Sequence, residues 1–162
     1  MTPEMETVAN PATVIANFLC YAALAGLLGA LAMTVVMRLM SRRDPRRGDM
    51  VVAVGSLLTK TRDNARLVGV ILHGISAIAF GMLYTVIMIA LNMTEWPGAF
   101  FMGVGFGTFH GIVVSLSLVW VVADQHPLEE YRNAGPAVFL EHFAGHVVYG
   151  AVVGLVIAFA PV

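Results

Sequence analysis

Four long apolar runs set the fold of this chain before any motif is considered. They cover about residues 14–40, 67–91, 98–122 and 137–160. Each exceeds the roughly 20 residues a helix needs to cross a hydrocarbon layer about 30 Å thick at 1.5 Å rise per residue. Inside lipid every backbone N–H and C=O must be satisfied within the protein, which leaves helices and closed barrels as the only spanning forms. Runs of this length without period-two alternation are helices. The sequence therefore predicts an all-α membrane protein, a four-transmembrane-helix bundle in which residues 1–162 form a single integral membrane domain. Composition agrees: 59% hydrophobic and 12% charged residues, with mean hydropathy +0.83, lie far from a soluble balance. No water-soluble domain of useful size is left over.

Charge supplies the orientation. Arg38, Arg42, Arg43, Arg46, Arg47, Lys60, Arg62 and Arg66 all sit at the end of span 1 or in the connection 41–66, and Arg132 lies between spans 3 and 4. The opposite side carries Glu4, Glu6 and Glu95 and no Lys or Arg. By the positive-inside rule the connection is cytoplasmic and both termini face the non-cytoplasmic side, as expected for a multi-pass protein of a bacterial cytoplasmic (inner) membrane. The acidic start argues against a removable signal peptide, so the first span is expected to stay. Trp96 and Pro97 fit an interfacial anchor and a helix start.

Within the connection, Met50 to Leu58 is apolar but too short to cross. Met50, Val51, Val54, Leu57 and Leu58 share a helical face, which predicts a short interfacial helix between spans 1 and 2, lying on the inner leaflet or packing under the bundle. Cys20 is the only cysteine, which excludes an intrachain disulfide, and it reads as a buried thiol.

A histidine recurs in the same setting in each half. His73 precedes Phe80 and Gly81 with the spacing at which His142 precedes Tyr149 and Gly150. Span 1 aligns onto span 3 more loosely, through Gly29 with Gly111 and Asp44-Pro45 with His126-Pro127. This predicts an internal repeat, two tandem two-helix units related about an axis along the membrane normal, with His73 and His142 at matching depth. Counted from the cytoplasmic ends, His142, His73, His146 and His110 lie from ~8 to ~18 Å deep, a histidine cluster in the inner half.

Small residues mark the helix contacts. Gly103, Gly107 and Gly111 recur every fourth residue on span 3, as do Gly150 and Gly154 on span 4, and Gly74 and Gly81 flank Ala77 on span 2. Such spacing lets backbones approach closely where no hydrophobic effect drives helices together. A tight bundle is expected.

An ionisable side chain inside a membrane is a candidate for function. His73, His110, His142 and His146, with Glu141 at the cytoplasmic entrance and Tyr149 beside them, are the candidate ligand or proton-relay residues. Neutral imidazole binds transition metals and haem iron, so His73, His142 and His146 are the candidate metal ligands, and haem or a transition metal the candidate cofactor. The plainer reading is that each histidine hydrogen-bonds a neighbouring helix through Thr34, Ser76, Ser115, Ser117, Tyr84, Tyr149 or a backbone carbonyl. Met33, Met37 and Met40 could offer soft sulfur to copper, although such a stripe is usually packing. His126, in a loop before Pro127, reads as solvated.

Catalytic signals are thin. The spacing His142-x-x-x-His146 lacks the glutamate a zincin needs after its first histidine, since Phe143 stands there. No phosphate-binding loop is present, and no nucleic-acid partner is indicated.

The stretch His146-Val-Val-Tyr149-Gly150-Ala-Val-Val-Gly154 resembles a late helix of small four-span bacterial inner-membrane proteins of the YagU-like kind, and Val54-Gly55-Ser56 adds a faint second likeness. The resemblance implies the four-span fold and the location, and no activity. The expectation is a non-enzymatic accessory or scaffold protein of the lipid bilayer, associating with itself as a homo-oligomer or with a larger membrane complex. A haem- or metal-binding protein and a small proton or solute conduit stand as alternatives.

Overall fold

The computed structural model describes residues 10–42 and 49–162. Glu4, Glu6, Arg43, Arg46, Arg47 and the Asp44-Pro45 end of the repeat alignment lie outside the described residues. The helices are α1 (Pro11–Met40), α2 (Met50–Thr59), α3 (Ala65–Ala90), α4 (Gly98–Gln125) and α5 (Pro136–Ile157). All but α2 are long and apolar enough to span a membrane.

Local sequence explains where several of them start and stop. The Asn10 side chain accepts a hydrogen bond from the Ala12 N–H at 3.0 Å, and Pro11 occupies the first turn, where its missing N–H costs nothing. Asp49 caps α2 through the Val52 N–H, and Lys60, with φ 61°, closes it by donating its N–H to the Ser56 carbonyl. Within α4, residues Leu118–Val122 adopt a π-helical turn, a feature that recurs near functional sites. Pro136 begins α5.

The spans form a curved row in the order α3, α1, α5, α4. Glycine sets every seam. A methyl group added to Gly26 of α1 would lie 2.2 Å from the Ala77 carbonyl oxygen of α3. One added to Gly150 of α5 would lie 2.1 Å from the Gly103 oxygen of α4, and Gly107 and Gly154 face equally close backbone. Gly29 lies under the Tyr149 ring, Gly111 against His146 and Phe143, and Gly145 against Met33 and Met37. The buried positions are thus largely small, with Ala22 and Ala25 fully enclosed, while large apolar residues such as Phe109 (73% exposed) point outward. That inversion of a soluble core suits a bundle surrounded by hydrocarbon.

Several expectations change at this level. Gly74 is no helix contact, since nothing lies within 4 Å of a methyl group placed there. Cys20 is exposed on the outer surface of α1. The helix α2 packs on the bundle, one of the two placements expected for it. Methyl groups on Gly55 and Gly69 would meet the Ala65 and Val51 carbonyl oxygens at 1.8 and 1.7 Å, so α2 is clamped backbone to backbone on the first turns of α3. The expected apolar face is split, with Val52, Gly55 and Ser56 buried and Leu58 63% exposed.

The α1–α3 and α4–α5 pairs use corresponding contacts. Gly81 meets Ala22 and Gly26 on α1, and Gly150 meets Gly103 and Gly107 on α4. This register equates Gly26 with Gly107, one residue away from the alignment of Gly29 with Gly111.

Candidate functional site

A cavity of about 530 Å³ lies in the half of the bundle that carries α2. It exists because α3 and α4, the ends of the row, are propped apart by rings. Phe80 of α3 stacks on His110 of α4 with centroids 4.1 Å apart, and Tyr84 packs on Phe106 at 5.1 Å. Below this wedge a space remains between α3 and α4. The space between them is lined by His73 and Ser76 of α3, by Val114, Leu118 and Val122 of α4, and by Val138, His142 and His146 of α5. Leu118 and Val122 belong to the π-helical turn, so the irregular stretch of α4 forms part of the wall.

The floor comes from outside the spans. Met50, Ala53, Val54 and Leu57 of α2 face the cavity together with His126, Glu130, Tyr131 and Asn133 of the α4–α5 connection. His126 joins these two parts. Its Nδ1 lies 3.1 Å from the Leu128 N–H, and its Nε2 donates to the Ala53 carbonyl of α2 at 3.1 Å. At 2% exposure His126 is buried, which corrects its reading as a solvated loop residue. Its sequence signal was only the neighbouring Pro127 and Asp124, and neither announces a partner 73 residues away. Around the floor, Arg66 pairs with Asp49 at 2.8 Å and Arg62 with Glu130. Burial first, then the nearby Asp49 and Glu130 carboxylates, pushes the Tyr131 hydroxyl above its ordinary pKa.

The four intramembrane histidines all line this cavity, but they are held differently. On α5 the i−4 carbonyl takes the ring proton: His142 Nδ1 lies 2.9 Å from the Val138 oxygen and His146 Nδ1 2.7 Å from the His142 oxygen. A carbonyl only accepts, so both Nδ1 atoms carry hydrogen and both Nε2 atoms of the neutral rings keep a lone pair. Those Nε2 atoms form no hydrogen bond among the described residues. His73 Nε2 is buried and also without a partner. His110 Nδ1 is hydrogen-bonded to the Tyr84 hydroxyl at 3.0 Å, and its ring lies edge-on to His146 at 4.6 Å.

Among the described residues only His110 of these four makes the interhelical side-chain bond that the plainer reading expected. Thr34 and Ser117 instead donate back to carbonyls four residues earlier on their own helices. Tyr149 spans helices without meeting a histidine through its hydroxyl, which donates to the Ala77 carbonyl of α3 at 2.7 Å. Phe80 and Tyr149 therefore sit in different surroundings, one on a histidine ring and one on a backbone carbonyl. Glu141 is buried, with Oε2 unpartnered among the described residues, yet it does not line the cavity; Gly145, one turn along α5, packs on Met33 and Met37 of α1. Met37 is likewise packing, while Met33 also touches the cavity and Met40 is exposed.

Among the described residues no three His, Cys, Asp or Glu side chains converge closely enough to hold a metal ion. The wall is mostly apolar, with two acceptor nitrogens one helical turn apart and, among the described residues, no Lys or Arg. Fold and site together define an all-α, four-span bundle with a histidine-walled cavity at one end. No family model, curated protein or solved structure matches the chain.

Proposed function

We propose that this chain is a multi-pass protein of a bacterial cytoplasmic membrane that binds a small molecule in the histidine-walled cavity and does not transform it. It acts as an accessory component, alone, as a homo-oligomer or within a larger membrane complex. The observation that carries the reading is one cavity of about 530 Å³ on whose wall all four intramembrane imidazoles lie. Ligand sites are usually concave and largely apolar with a few convergent polar groups. No Ser, Thr or Cys side chain hydrogen-bonds a histidine among the described residues, which supports binding over nucleophilic catalysis. The shared Gly26–Gly81 and Gly107–Gly150 contacts support an origin by duplication, and the basic connection 41–66 supports its placement in the cytoplasm.

Native mass spectrometry of the protein released gently from membranes tests the ligand. A retained small molecule that Val114→Trp displaces is expected; an empty protein in which Val114→Trp changes nothing would overturn the reading. For orientation, a reporter active only in the cytoplasm should be silent after Val162 and active near Asp63.

A haem or metal reading has one observation in its favour. Metal-ligating histidines usually donate their second ring N–H to a carbonyl or carboxylate, as His142 and His146 do. Against haem stands the wall, which among the described residues offers no Lys or Arg to neutralise propionates. A Soret band or stoichiometric metal in the purified protein decides for this alternative. A conduit has less support, because Tyr84, Phe106 and Tyr149 pack together beyond His110.

A further inference from the structure

The chemistry of the wall narrows the ligand further, on the assumption that the cavity binds one at all. Three observations combine. The first is the route in. Ser76 lines the cavity and is exposed, and it lies between His73 and Phe80 on the spanning helix α3. The cavity therefore opens sideways between two spanning helices, toward hydrocarbon, while α2 and the His126 connection form its floor. A molecule entering by that route is dissolved in the bilayer.

The second observation is charge. Among the described residues the only lining residue with a full charge is Glu130, whose carboxylate is already paired with Arg62. With no Lys or Arg on the wall among the described residues, an anionic headgroup would be buried there without a counter-charge, which is costly. The ligand is uncharged.

The third is hydrogen-bond polarity. Because His142 and His146 spend their Nδ1 hydrogens on backbone carbonyls, each turns an Nε2 lone pair outward from α5, and these nitrogens accept. A ligand that also only accepts, such as an ether, leaves them unpaired in a dry site, and an unmade buried hydrogen bond is more expensive than a made one is favourable. Phe80, His110 and Tyr131 add ring surface to the same wall.

We propose that the cavity takes an uncharged, membrane-dissolved alcohol or phenol, whose hydroxyl donates to Nε2 of His142 or His146 while its apolar tail leaves between α3 and α4 past Ser76. Recognition is by donor count and neutrality, and the tail contributes little selectivity because it lies in the opening.

The test compares 4-nonylphenol with its methyl ether, which has nearly the same shape and no donor. Binding to the full chain in nanodiscs is followed by thermal stabilisation at matched mole fraction in the bilayer. The phenol is expected to bind about tenfold or more tightly than the ether, the discrimination a buried hydrogen bond can give. His142→Leu with His146→Leu should abolish the difference while leaving ether binding in place. In case that variant does not fold, nitrogen NMR of the wild type with labelled imidazoles provides a second reading: phenol should shift Nε2 of His142 or His146, and ether should not. Equal binding of phenol and ether, with no Nε2 shift, would overturn the donor proposal and leave the cavity as a ligand site. Binding of neither probe would overturn both.

Discussion

Toward Trp96 the helices are sealed against one another, whereas toward α2 two of them stand apart, and the same chain does both by changing what it places between backbones. In the sealed half, Gly103 and Gly150 approach so closely that neither tolerates a methyl group, and the Tyr149 hydroxyl closes onto Ala77. In the open half the α1–α5 and α4–α5 seams continue through Gly145 and Gly111, but α3 and α4 are held off by the Phe80, Tyr84, Phe106 and His110 rings. Small residues close a membrane bundle because dispersion and backbone contact are what hold it together. Rings set between the outermost helices act as a wedge and leave room beneath them. The four intramembrane histidines then collect where there is room, so the cavity and the histidines are two consequences of one packing choice.

This contrast can be broken most severely at its glycines. Gly150→Leu should cost about 3 kcal/mol or more and prevent a single folded species in detergent, because the new side chain meets fixed backbone. Gly74→Ala and Gly105→Ala, where nothing lies within 4 Å, should be neutral or up to about 1 kcal/mol stabilising through helix propensity. Equal loss of melting temperature at all three would deny that the seams are where the structure places them.

The floor of the open half should be the next most sensitive. His126→Ala leaves the Ala53 carbonyl and the Leu128 N–H without their partner, at about 1–3 kcal/mol, and should release α2 and the connection. Limited proteolysis between α4 and α5 would then accelerate while the spans stay protected. Unchanged cleavage would mean that His126 does not tie the floor.

Tyr149→Phe removes one interhelical hydrogen bond and should lower stability by about 0.6 kcal/mol, the usual scale for such bonds in membranes. Arg62→Ala should cost less still, with little or no change in melting temperature, because its ion pair with Glu130 is exposed. A large effect of Arg62→Ala would show that the surface pair, and not His126, fixes the floor.

The spans were legible because hydrocarbon imposes a length on them. The expected runs and the observed helices differ by at most three residues at each end, as 14–40 against Pro11–Met40 and 137–160 against Pro136–Ile157 illustrate. Gly103, Gly107, Gly150 and Gly154 were equally readable, since four-residue spacing places them on one face. Gly74 obeys the same spacing beside Ala77 and still meets nothing, because spacing shows that residues share a face without showing that a neighbour covers it. The cavity could not be read at all. It depends on which two helices end the row, and that order follows from contacts such as Gly26 with Ala77 that join distant parts of the chain. His73, His110, His142 and His146 were found by being ionisable in a span; that His142 and His146 turn their ring hydrogens back to their own helix needed coordinates.

The central claim, one sealed half and one open one, is tested most directly by cysteine accessibility in liposomes. In a Cys20→Ala background, single cysteines at Ser76 and Val114 report on the cavity and at Ala25 and Ala99 on the sealed seams. A membrane-permeant maleimide should label the first two readily and the last two hardly at all, and prior loading with 4-nonylphenol should slow the first two alone. Labelling at Ala25 and Ala99 as fast as at Ser76 and Val114 would contradict the account.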